Sequence, residues 1–437
     1  MKNRPLVFIL VISFLLSLSY SFYFRIKPMV DARAYDVIAV NIVNDHGYRE
    51  DPKKDLAYDY AIARVGPLYE YFLAGIYKIF GHHYEAVWVI QALLHTLTAW
   101  LIYLISFLIF AGHDKRKTIG LWAAAIVGFY PDLIEISAML MTETLYLFLI
   151  CLMLYVFFRY FFQPNNWLVL GLGAVSGLAV LGRPPVLFLL PVVIFYFFKN
   201  KKFLATIIFL IALLAVFTPW TVRNYQVYHK IMPFGAAGNY NFWTGNYHGG
   251  SGEQEQTQEH YDFIATHEIK DLGDESMRQF KKFLSEYPGE FVKLTFLRIN
   301  KYFSVIRPMG FWFYQDGWSQ FLFILSSALA SVFLFVFGLA GFIKSFKSKN
   351  KAMYYLLAFA VFTPLVIFVT VVETRYRFQI YPFLAIFAAW FIFSLASLKD
   401  FWRDLFWRWA STILVANGLI DFCLNLGKIS EKLKGFF

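Results

Sequence analysis

Residues of a type that can do chemistry first occur at the end of the first apolar run, where Asp31, Tyr35 and Asp36 follow one another closely. Asp31 and Tyr35 are four residues apart, so on a helix they share one face. A carboxylate at a membrane surface can act as a general base towards a hydroxyl group. An aspartate at the start of a helix can instead satisfy free backbone N–H groups, so a capping role stays open for Asp31.

A second group consists of arginines at the ends of apolar segments, on the side that we predict to face outward. They are Arg64, Arg183, Arg223, Arg375 and Arg377. The positive-inside rule predicts few basic residues on that side. A guanidinium keeps its charge and offers a fork of donors that matches phosphate oxygens. Anchoring to lipid headgroups accounts for one or two of them, and five together indicate an anionic ligand presented from the membrane.

Two further features are unusual for a membrane segment. Glu143, in "AMLMTETLYLF", is a carboxylate at the start of an apolar stretch, which is a functional-site hypothesis by default. Residues 235–252 are rich in glycine and asparagine, which permit tight turns over a cavity. A glutamate just above the hydrocarbon and an ordinary exposed loop are the alternatives.

Metal-binding patterns are weak. The adjacent residues His82 and His83 point in different directions on a helix, and the chain contains no HExxH and no CxxC motif. Cys151 and Cys423 form neither a disulfide nor a zinc spacing. A divalent cation at the outward carboxylates is compatible with this pattern but is not indicated by it.

The elements that must position these residues are membrane spans. Of the 437 residues, 59% are hydrophobic and only 16% are charged, whereas soluble domains carry roughly 25% charged residues. Basic residues form short clusters between apolar runs, which is a cytoplasmic-loop bias and not a nucleic-acid patch. Apolar segments recur at about 6–24, 86–111, 118–134, 138–161, 167–182, 185–198, 203–220, 319–343, 352–372 and 379–397.

The spans predict an all-α polytopic membrane protein with about ten to eleven transmembrane helices. With Met1 in the cytoplasm, each basic cluster falls inside, and residues 29–85 and 221–318 fall outside. We therefore divide the chain into an N-terminal transmembrane module (1–220, including the first outward loop 29–85), an extracytoplasmic segment (221–318), C-terminal transmembrane helices (319–397) and a tail (398–437). The tail is expected to be amphipathic or membrane-associated, and an eleventh span stays open.

The order of the motifs resembles that of the GT-C superfamily of integral-membrane glycosyltransferases, in particular the protein-O-mannosyltransferase and aminoarabinose-transferase-like branch. The resemblance runs from about Met1 to Ser397. Its motifs are "DARAYDVIAVNI", "RVGPLYEYFLAGIYKIFG", "MTETLYLFL", "LGRPPVLFLLP", "PWTVRNYQVYHKIMPFGAAGNYNFWTGN" and "TRYRFQIYPFLAIFA".

The resemblance implies a GT-C fold and transfer of a sugar from a polyprenyl phosphate to a lipid, glycan or protein acceptor, with inversion at the anomeric carbon. It implies that the catalytic aspartate is Asp31, with Asp36 and Glu143 as further acidic residues. Many relatives have Asp-Glu in the first loop, whereas this chain has Asp31-Ala32, so a second carboxylate there depends on Asp36. The donor phosphate is expected at Arg64, Arg183, Arg375 and Arg377. The substrate pocket is expected to include Tyr35, Tyr69, Arg223, Asn239, Asn246 and Tyr376.

The resemblance places the active site on the periplasmic or exterior side of the cell membrane. A transporter or flippase of lipid-linked sugars is the main alternative, because outward arginines and intramembrane carboxylates suit it too. Transporters commonly contain inverted repeats, and no such repeat is evident. A ligase that uses a pyrophosphate-linked donor also stays open, because arginines bind either head group.

Overall fold

The computed structural model describes residues 4–305, 314–395 and 403–426, and no strand occurs within these ranges. The α-helices are α1 (Arg4–Phe24), α2 (Asp31–Val43), α3 (Pro67–Phe80), α4 (Tyr84–Ile109), α5 (Arg116–Gly128), α6 (Pro131–Ser137), α7 (Glu143–Phe162), α8 (Asn166–Gly182), α9 (Leu190–Lys199), α10 (Phe203–Tyr228), α11 (Ala237–Gly245), α12 (Gln258–Thr266), α13 (Leu272–Glu286), α14 (Pro288–Phe303), α15 (Gly317–Ser345), α16 (Lys351–Phe362), α17 (Leu365–Val369), α18 (Tyr381–Ser394) and α19 (Leu405–Leu424). Short 3₁₀ helices cover Tyr60–Ala63, Pro184–Phe188, Ile269–Asp271 and Thr374–Ile380.

Within the described ranges, seven helical segments are long and apolar enough to cross a membrane, or up to eight if the bent pair α5–α6 is one span. The apolar helices Asn166–Gly182 and Pro184–Lys199 are shorter than a standard span. The chain is thus an integral membrane protein. The expectation of ten to eleven spans is not confirmed by these helices.

The predicted span 118–134 is broken, because α5 and α6 meet at a 55° bend. Pro131 begins α6, and a proline is tolerated at the first turn of a helix but not inside one. Residues 138–142 are not helical, so α7 begins at Glu143. A carboxylate at a helix N-terminus is favoured by the helix dipole.

Glycines let pairs of long helices approach closely. A Cβ atom on Gly173 in α8 would lie 2.5 Å from the backbone oxygen of Phe209 in α10. A Cβ atom on Gly341 in α15 would lie 2.1 Å from the backbone oxygen of Phe387 in α18. Side chains at these positions would force each pair of helices apart.

The two outward segments predicted from the sequence contact each other. The backbone N–H of Ala236 donates to the carbonyl of Ile62 at 3.1 Å, and that of Ile269 donates to the carbonyl of Ala57 at 2.7 Å. The first segment carries α2 and α3, and the second carries α11 to α14. The candidate site lies where both meet the ends of the spanning helices.

The described part of the tail is α19, which packs along α15. Near the start of α19, the Phe406 ring lies 5.0 Å from Lys347 Nζ, just beyond the end of α15. Near its other end, Asn417 exchanges side-chain hydrogen bonds with Asn300 in α14. The remaining tail residues lie outside the described ranges, and the division of the chain into four parts stays a prediction.

Candidate active site

Asp31 is the first residue of α2, and its carboxylate is held by two arginines from distant parts of the chain. Arg375 Nη2 donates to Asp31 Oδ2 at 2.8 Å, and Arg64 Nη1 lies 3.5 Å from Oδ1. Burial alone would raise the pKa of Asp31. The positive charge of Arg375, with smaller contributions from Arg64 and Arg183, outweighs burial and lowers that pKa below its ordinary value. Asp31 is therefore ionised at neutral pH.

Arg375 connects three carboxylates. It lies in the 3₁₀ helix Thr374–Ile380, and besides Asp31 its Nε lies 2.8 Å from Glu373 and 3.9 Å from Glu143. Its side chain is only 12% exposed. A charge this well buried needs such partners, because burial without them costs several kcal/mol.

Arg183 and Glu143 form a second buried pair, in which Arg183 Nη1 donates to Glu143 Oε1 at 2.5 Å. Arg183 directly follows α8 and precedes Pro184, which favours the extended backbone seen there. Its guanidinium also lies 5.2 Å from the ring centre of Tyr376 and 5.6 Å from that of Tyr146. Both aromatic contacts favour a cation at this position.

Arg64 is fixed by Glu50, which accepts from Nε at 2.6 Å and from Nη2 at 3.2 Å. The loop that carries Glu50 is in turn held by Asp59, whose carboxylate accepts the backbone N–H groups of Glu50 and Asp51. The forked contact between Arg64 and Glu50 is the strong geometry for an arginine–carboxylate pair. It leaves Nη1 of Arg64 directed at Asp31.

These residues form one cluster, which we call the arginine–carboxylate cluster: Asp31, Glu50, Glu143, Glu373, Arg64, Arg183 and Arg375. With all seven groups ionised, four negative and three positive charges give a net charge of −1. A ligand anion must therefore compete with a carboxylate for an arginine. Every carboxylate of the cluster contacts an arginine, and in the described part of the chain no three His, Cys, Asp or Glu residues could hold a metal ion. A divalent cation at these carboxylates would have to displace an arginine, and it stays a prediction.

A cavity of about 330 Å³ borders the cluster. Arg183 and Tyr376 line this cavity, and both also line a 20 Å³ cavity shared with Glu143 and Arg375. The larger cavity has mainly apolar walls from three segments, namely Pro184–Phe188, residues 230–242 and residues 366–371. A charged group can therefore lie at the cluster while an apolar chain extends along the walls.

The structure brings part of the expected substrate pocket to this place. Tyr376 and Asn239 line the 330 Å³ cavity. Tyr35 and Tyr69 are buried with ring centres 5.6 Å apart, and the Tyr69 hydroxyl donates to Gln91 at 2.8 Å. Their contact joins α2 to α3, and neither tyrosine lines the cavity.

Asp36 is not part of the cluster. Five residues along α2 place it about 140° around the helix from Asp31. Its carboxylate accepts from the Tyr77 and Tyr84 hydroxyls at 2.6 and 2.9 Å and lies 2.9 Å from His82 Nε2. It therefore joins α2 to α3 and α4, and it does not supply the second carboxylate expected beside Asp31.

Arg377 also points away from the cluster, although it is two residues from Arg375. It is 1% exposed, and its Nη1 donates to the carbonyl of Ser304 at 2.8 Å. Its Nη2 lies 3.5 Å from the Ser331 hydroxyl. The structure thus places it in a separate buried network and not beside the other expected phosphate ligands.

Arg223 and Asn246 likewise have contacts elsewhere. The guanidinium of Arg223 lies between 5.2 and 5.6 Å from the rings of Trp220, Tyr228 and Tyr48. Asn246 is 1% exposed and accepts from Arg298 Nη2 at 2.8 Å. The pattern of polar and apolar residues in the sequence does not indicate these contacts of Arg223 and Asn246.

Arg298 is a residue that the sequence analysis missed. It is fully buried in α14 and donates to the backbone carbonyls of Gly245, Gly252 and Phe368. Burial lowers the pKa of Arg298 to about 10, so it stays charged at neutral pH. The backbone N–H of Val372 donates to the same Gly252 carbonyl at 3.1 Å. Arg298 therefore ties residues 245–252 to the segment that leads into Arg375.

Glu50, Glu70 and Glu373 were also missed. Glu373 stands two residues before Arg375 in "ETRYRF" and could have been noticed there. Glu70 lies in "RVGPLYEYF" and is completely buried, which raises its pKa to about 8. Glu50 carries no local signal, because its partner is fourteen residues away across a loop.

The helical bundle has the GT-C fold of a membrane protein, as the sequence predicted. The family profile described as dolichyl-phosphate-mannose-protein mannosyltransferase (PMT_2) matches residues 64–222, which is less than half of the chain. No curated protein sequence matches the chain.

Solved structures show the same fold at low sequence identity. The structure of ArnT from Cupriavidus metallidurans bound to undecaprenyl phosphate aligns with a TM-score of 0.51 and 12% identity, over 96% of this chain and 65% of that one. The oligosaccharyltransferase of Archaeoglobus fulgidus tethered to an acceptor peptide aligns with a TM-score of 0.52 and 14% identity, over 96% of this chain and 54% of that one. The archaeal oligosaccharyltransferase AglB in complex with an inhibitory peptide and a dolichol-phosphate aligns with a TM-score of 0.51, 15% identity and 54% of its own length. This chain spans less than two thirds of each of these proteins.

Proposed function

We propose that the protein transfers a sugar from a polyprenyl-phosphate donor to an acceptor at the membrane surface. The observation that carries the proposal is the contact of Asp31 with Arg375 beside a mainly apolar cavity of about 330 Å³. The cluster supplies a base and phosphate-binding groups, and the cavity supplies a path for an isoprenoid chain. The fold is shared with structures that contain undecaprenyl phosphate and a dolichol-phosphate.

Three arginines are available for the donor phosphate. Arg183 borders the cavity directly, and Arg375 lies behind it next to Asp31. Arg64 is held more tightly by the forked contact with Glu50. We assign the phosphate to Arg183 and Arg375, with Arg64 completing the positive side of the site.

In the proposed reaction Asp31 accepts a proton from the acceptor hydroxyl or amine. The acceptor atom forms a bond to the anomeric carbon while the bond from that carbon to the phosphate oxygen breaks. The departing polyprenyl phosphate gains one negative charge, which the arginines stabilise in a site shielded from water. Attack from the side opposite the phosphate inverts the anomeric carbon.

Donor binding and base activation are linked in this scheme. The phosphate competes with Asp31 for Arg375, and when it takes that contact, Asp31 loses the charge that keeps its pKa low. Asp31 then becomes a stronger base only after the donor is in place.

The site is assigned to the exterior or periplasmic face of the cell membrane. The assignment is supported by the basic clusters at residues 113–117, 199–202 and 344–351, which lie at the helix ends remote from Asp31.

The acceptor is a lipid, glycan or protein. No step uses a divalent cation, and transfer measured with and without EDTA tests that choice.

The experiment that tests the function is transfer by purified protein in detergent, with polyprenyl-phosphate sugars and extracted envelope material as acceptor. Mass spectrometry of envelope glycans and lipids from cells with and without the protein identifies which sugar and acceptor to supply. Product formed in detergent, where no second compartment exists, contradicts a purely transporting role. Product formed only from pyrophosphate-linked donors contradicts the proposed donor class.

A further inference from the structure

A second large cavity lies at the opposite end of the bundle from Asp31. Helix α4 begins at Tyr84, whose hydroxyl reaches Asp36 in α2, and ends at Ile109, which lines this cavity. The 26 residues of α4 make a helix of about 39 Å. The cavity has a volume of about 810 Å³, and we call it the inner-end cavity.

The walls of the inner-end cavity are aromatic and apolar. Phe110 and Trp390 stack with their ring centres 6.2 Å apart, and Phe162 and Phe393 complete the wall. These residues come from the ends of α4, α7 and α18, where the helices meet the edge of the hydrocarbon. An acyl chain entering from the leaflet at this end would meet compatible surface.

The rim of the inner-end cavity is basic. His113, Lys115 and Lys349 line it, and none of the lining residues that the structure describes is acidic. Lys115 and Lys349 are both exposed, and neither forms a salt bridge within the described ranges. Asp114 lies between two of these residues in sequence but does not line the cavity. Among the residues that the structure describes, the rim therefore presents positive charge without a carboxylate partner.

We propose that the inner-end cavity binds one anionic phospholipid of the adjacent leaflet, with the phosphate at the rim carrying Lys115 and Lys349 and an acyl chain along the aromatic wall. Basic pockets between membrane helices on the cytoplasmic side recognise such head groups. The leaflet is the cytoplasmic one in the orientation given under the proposed function. The binding itself does not depend on sugar transfer, so either proposal can fail without the other.

The test is native mass spectrometry of the purified protein after equilibration with phosphatidylglycerol, cardiolipin or phosphatidylcholine. Wild-type protein is expected to retain one anionic lipid and no phosphatidylcholine. Lys115→Ala/Lys349→Ala is expected to weaken retention by about tenfold or more, since each juxtamembrane lysine contributes measurably to anionic lipid binding. The matched control is Lys201→Ala/Lys202→Ala, which removes the same charge from another cluster at this end and should retain the lipid.

A second variant fills the cavity without changing charge. A Cβ atom on Gly112, which lines the cavity, would meet no atom within 4 Å, so Gly112→Leu can be introduced without a clash at the backbone. It should lose the retained lipid, whereas Gly171→Leu, at an equally open position in α8, should keep it. Equal lipid loss in the lysine control, retention in Gly112→Leu, or equally tight binding of soluble glycerol phosphate would each overturn the proposal.

Discussion

Asp31 and Arg375 are 344 residues apart in sequence and meet through a 2.8 Å hydrogen bond at one end of the bundle. The first lies at the start of α2 and the second just before α18. Their contact therefore joins the N-terminal and C-terminal parts of the transmembrane region in sequence. Because Arg375 also faces the proposed phosphate position, Asp31 and the donor phosphate compete for this arginine.

The first prediction concerns pH. In the wild type, the acid limb of the kcat/KM profile, which reports the free enzyme, should lie below the ordinary carboxyl pKa of 3.8, because the arginines lower the pKa of Asp31. In Arg375→Gln the largest lowering contribution is lost while burial remains, so the limb should move to higher pH. Transfer rates at limiting donor, measured from about pH 3 to about pH 9, check this. An acid limb at the same pH in both proteins would argue against Asp31 as the base.

The second prediction separates two outward arginines. Arg183→Gln should weaken donor binding by about tenfold or more, because a hydrogen bond to a charged group contributes roughly 1.5–3 kcal/mol. Arg223→Gln is the matched control, since that guanidinium is directed at aromatic rings and away from the cluster. Titration with undecaprenyl phosphate gives both affinities. Equal losses in the two variants would mean that the arginines act only through the surface potential.

The third prediction concerns stability. The pKa of Glu70 is about 8 in the fold and 4.5 in the unfolded chain. The contribution of Glu70 to the free energy of unfolding is therefore greatest below pH 4.5. It falls by about 1.4 kcal/mol per pH unit as pH rises towards 8. Glu70→Gln cannot ionise, so its Tm relative to wild type should rise between pH 5 and pH 8. A Tm difference that does not change with pH would show that Glu70 is already ionised when buried.

The fourth prediction concerns Arg298. Arg298→Met leaves the carbonyls of Gly245 and Phe368 without their Arg298 donor, at a cost of about 1–3 kcal/mol for each unpaired group, whereas the Gly252 carbonyl keeps the Val372 N–H. Arg298→Lys keeps the charge but cannot reach all of them. Both variants should lower Tm, with the methionine variant lower.

At a temperature where both Arg298 variants remain folded, donor KM should rise, because the segment before Arg375 loses its anchor. A lower Tm with an unchanged KM would limit Arg298 to general stability.

Much of the fold could be predicted from the sequence because hydrophobic periodicity and charge asymmetry report directly on membrane spans. The bend between α5 and α6 could not be placed from hydrophobicity alone, because the apolar sequence continues through the bend. Pro131 marks its position. The number of spans is not confirmed for a related reason. Short apolar helices such as Asn166–Gly182 have the composition of a span without its length.

The site was predictable where a residue's type was unusual for its position, as for Asp31, Arg183 and Glu143. The site could not be predicted where the role of a residue depends on the direction in which its side chain points. Asp36 and Arg377 stand close in sequence to Asp31 and Arg375, yet each points into a different set of partners. Glu50 and Arg298 were missed because their partners are brought to them only by loops that fold back over the membrane surface.

The most direct test of the account is Asp31→Asn, assayed for both undecaprenyl phosphate binding and sugar transfer. The substitution keeps the size of the side chain and removes the negative charge that competes for Arg375. We predict that transfer falls by at least about 100-fold, as expected for loss of a general base, while undecaprenyl phosphate binds more tightly than to wild type. Transfer at the wild-type rate, or weaker phosphate binding in a folded variant, would contradict the account.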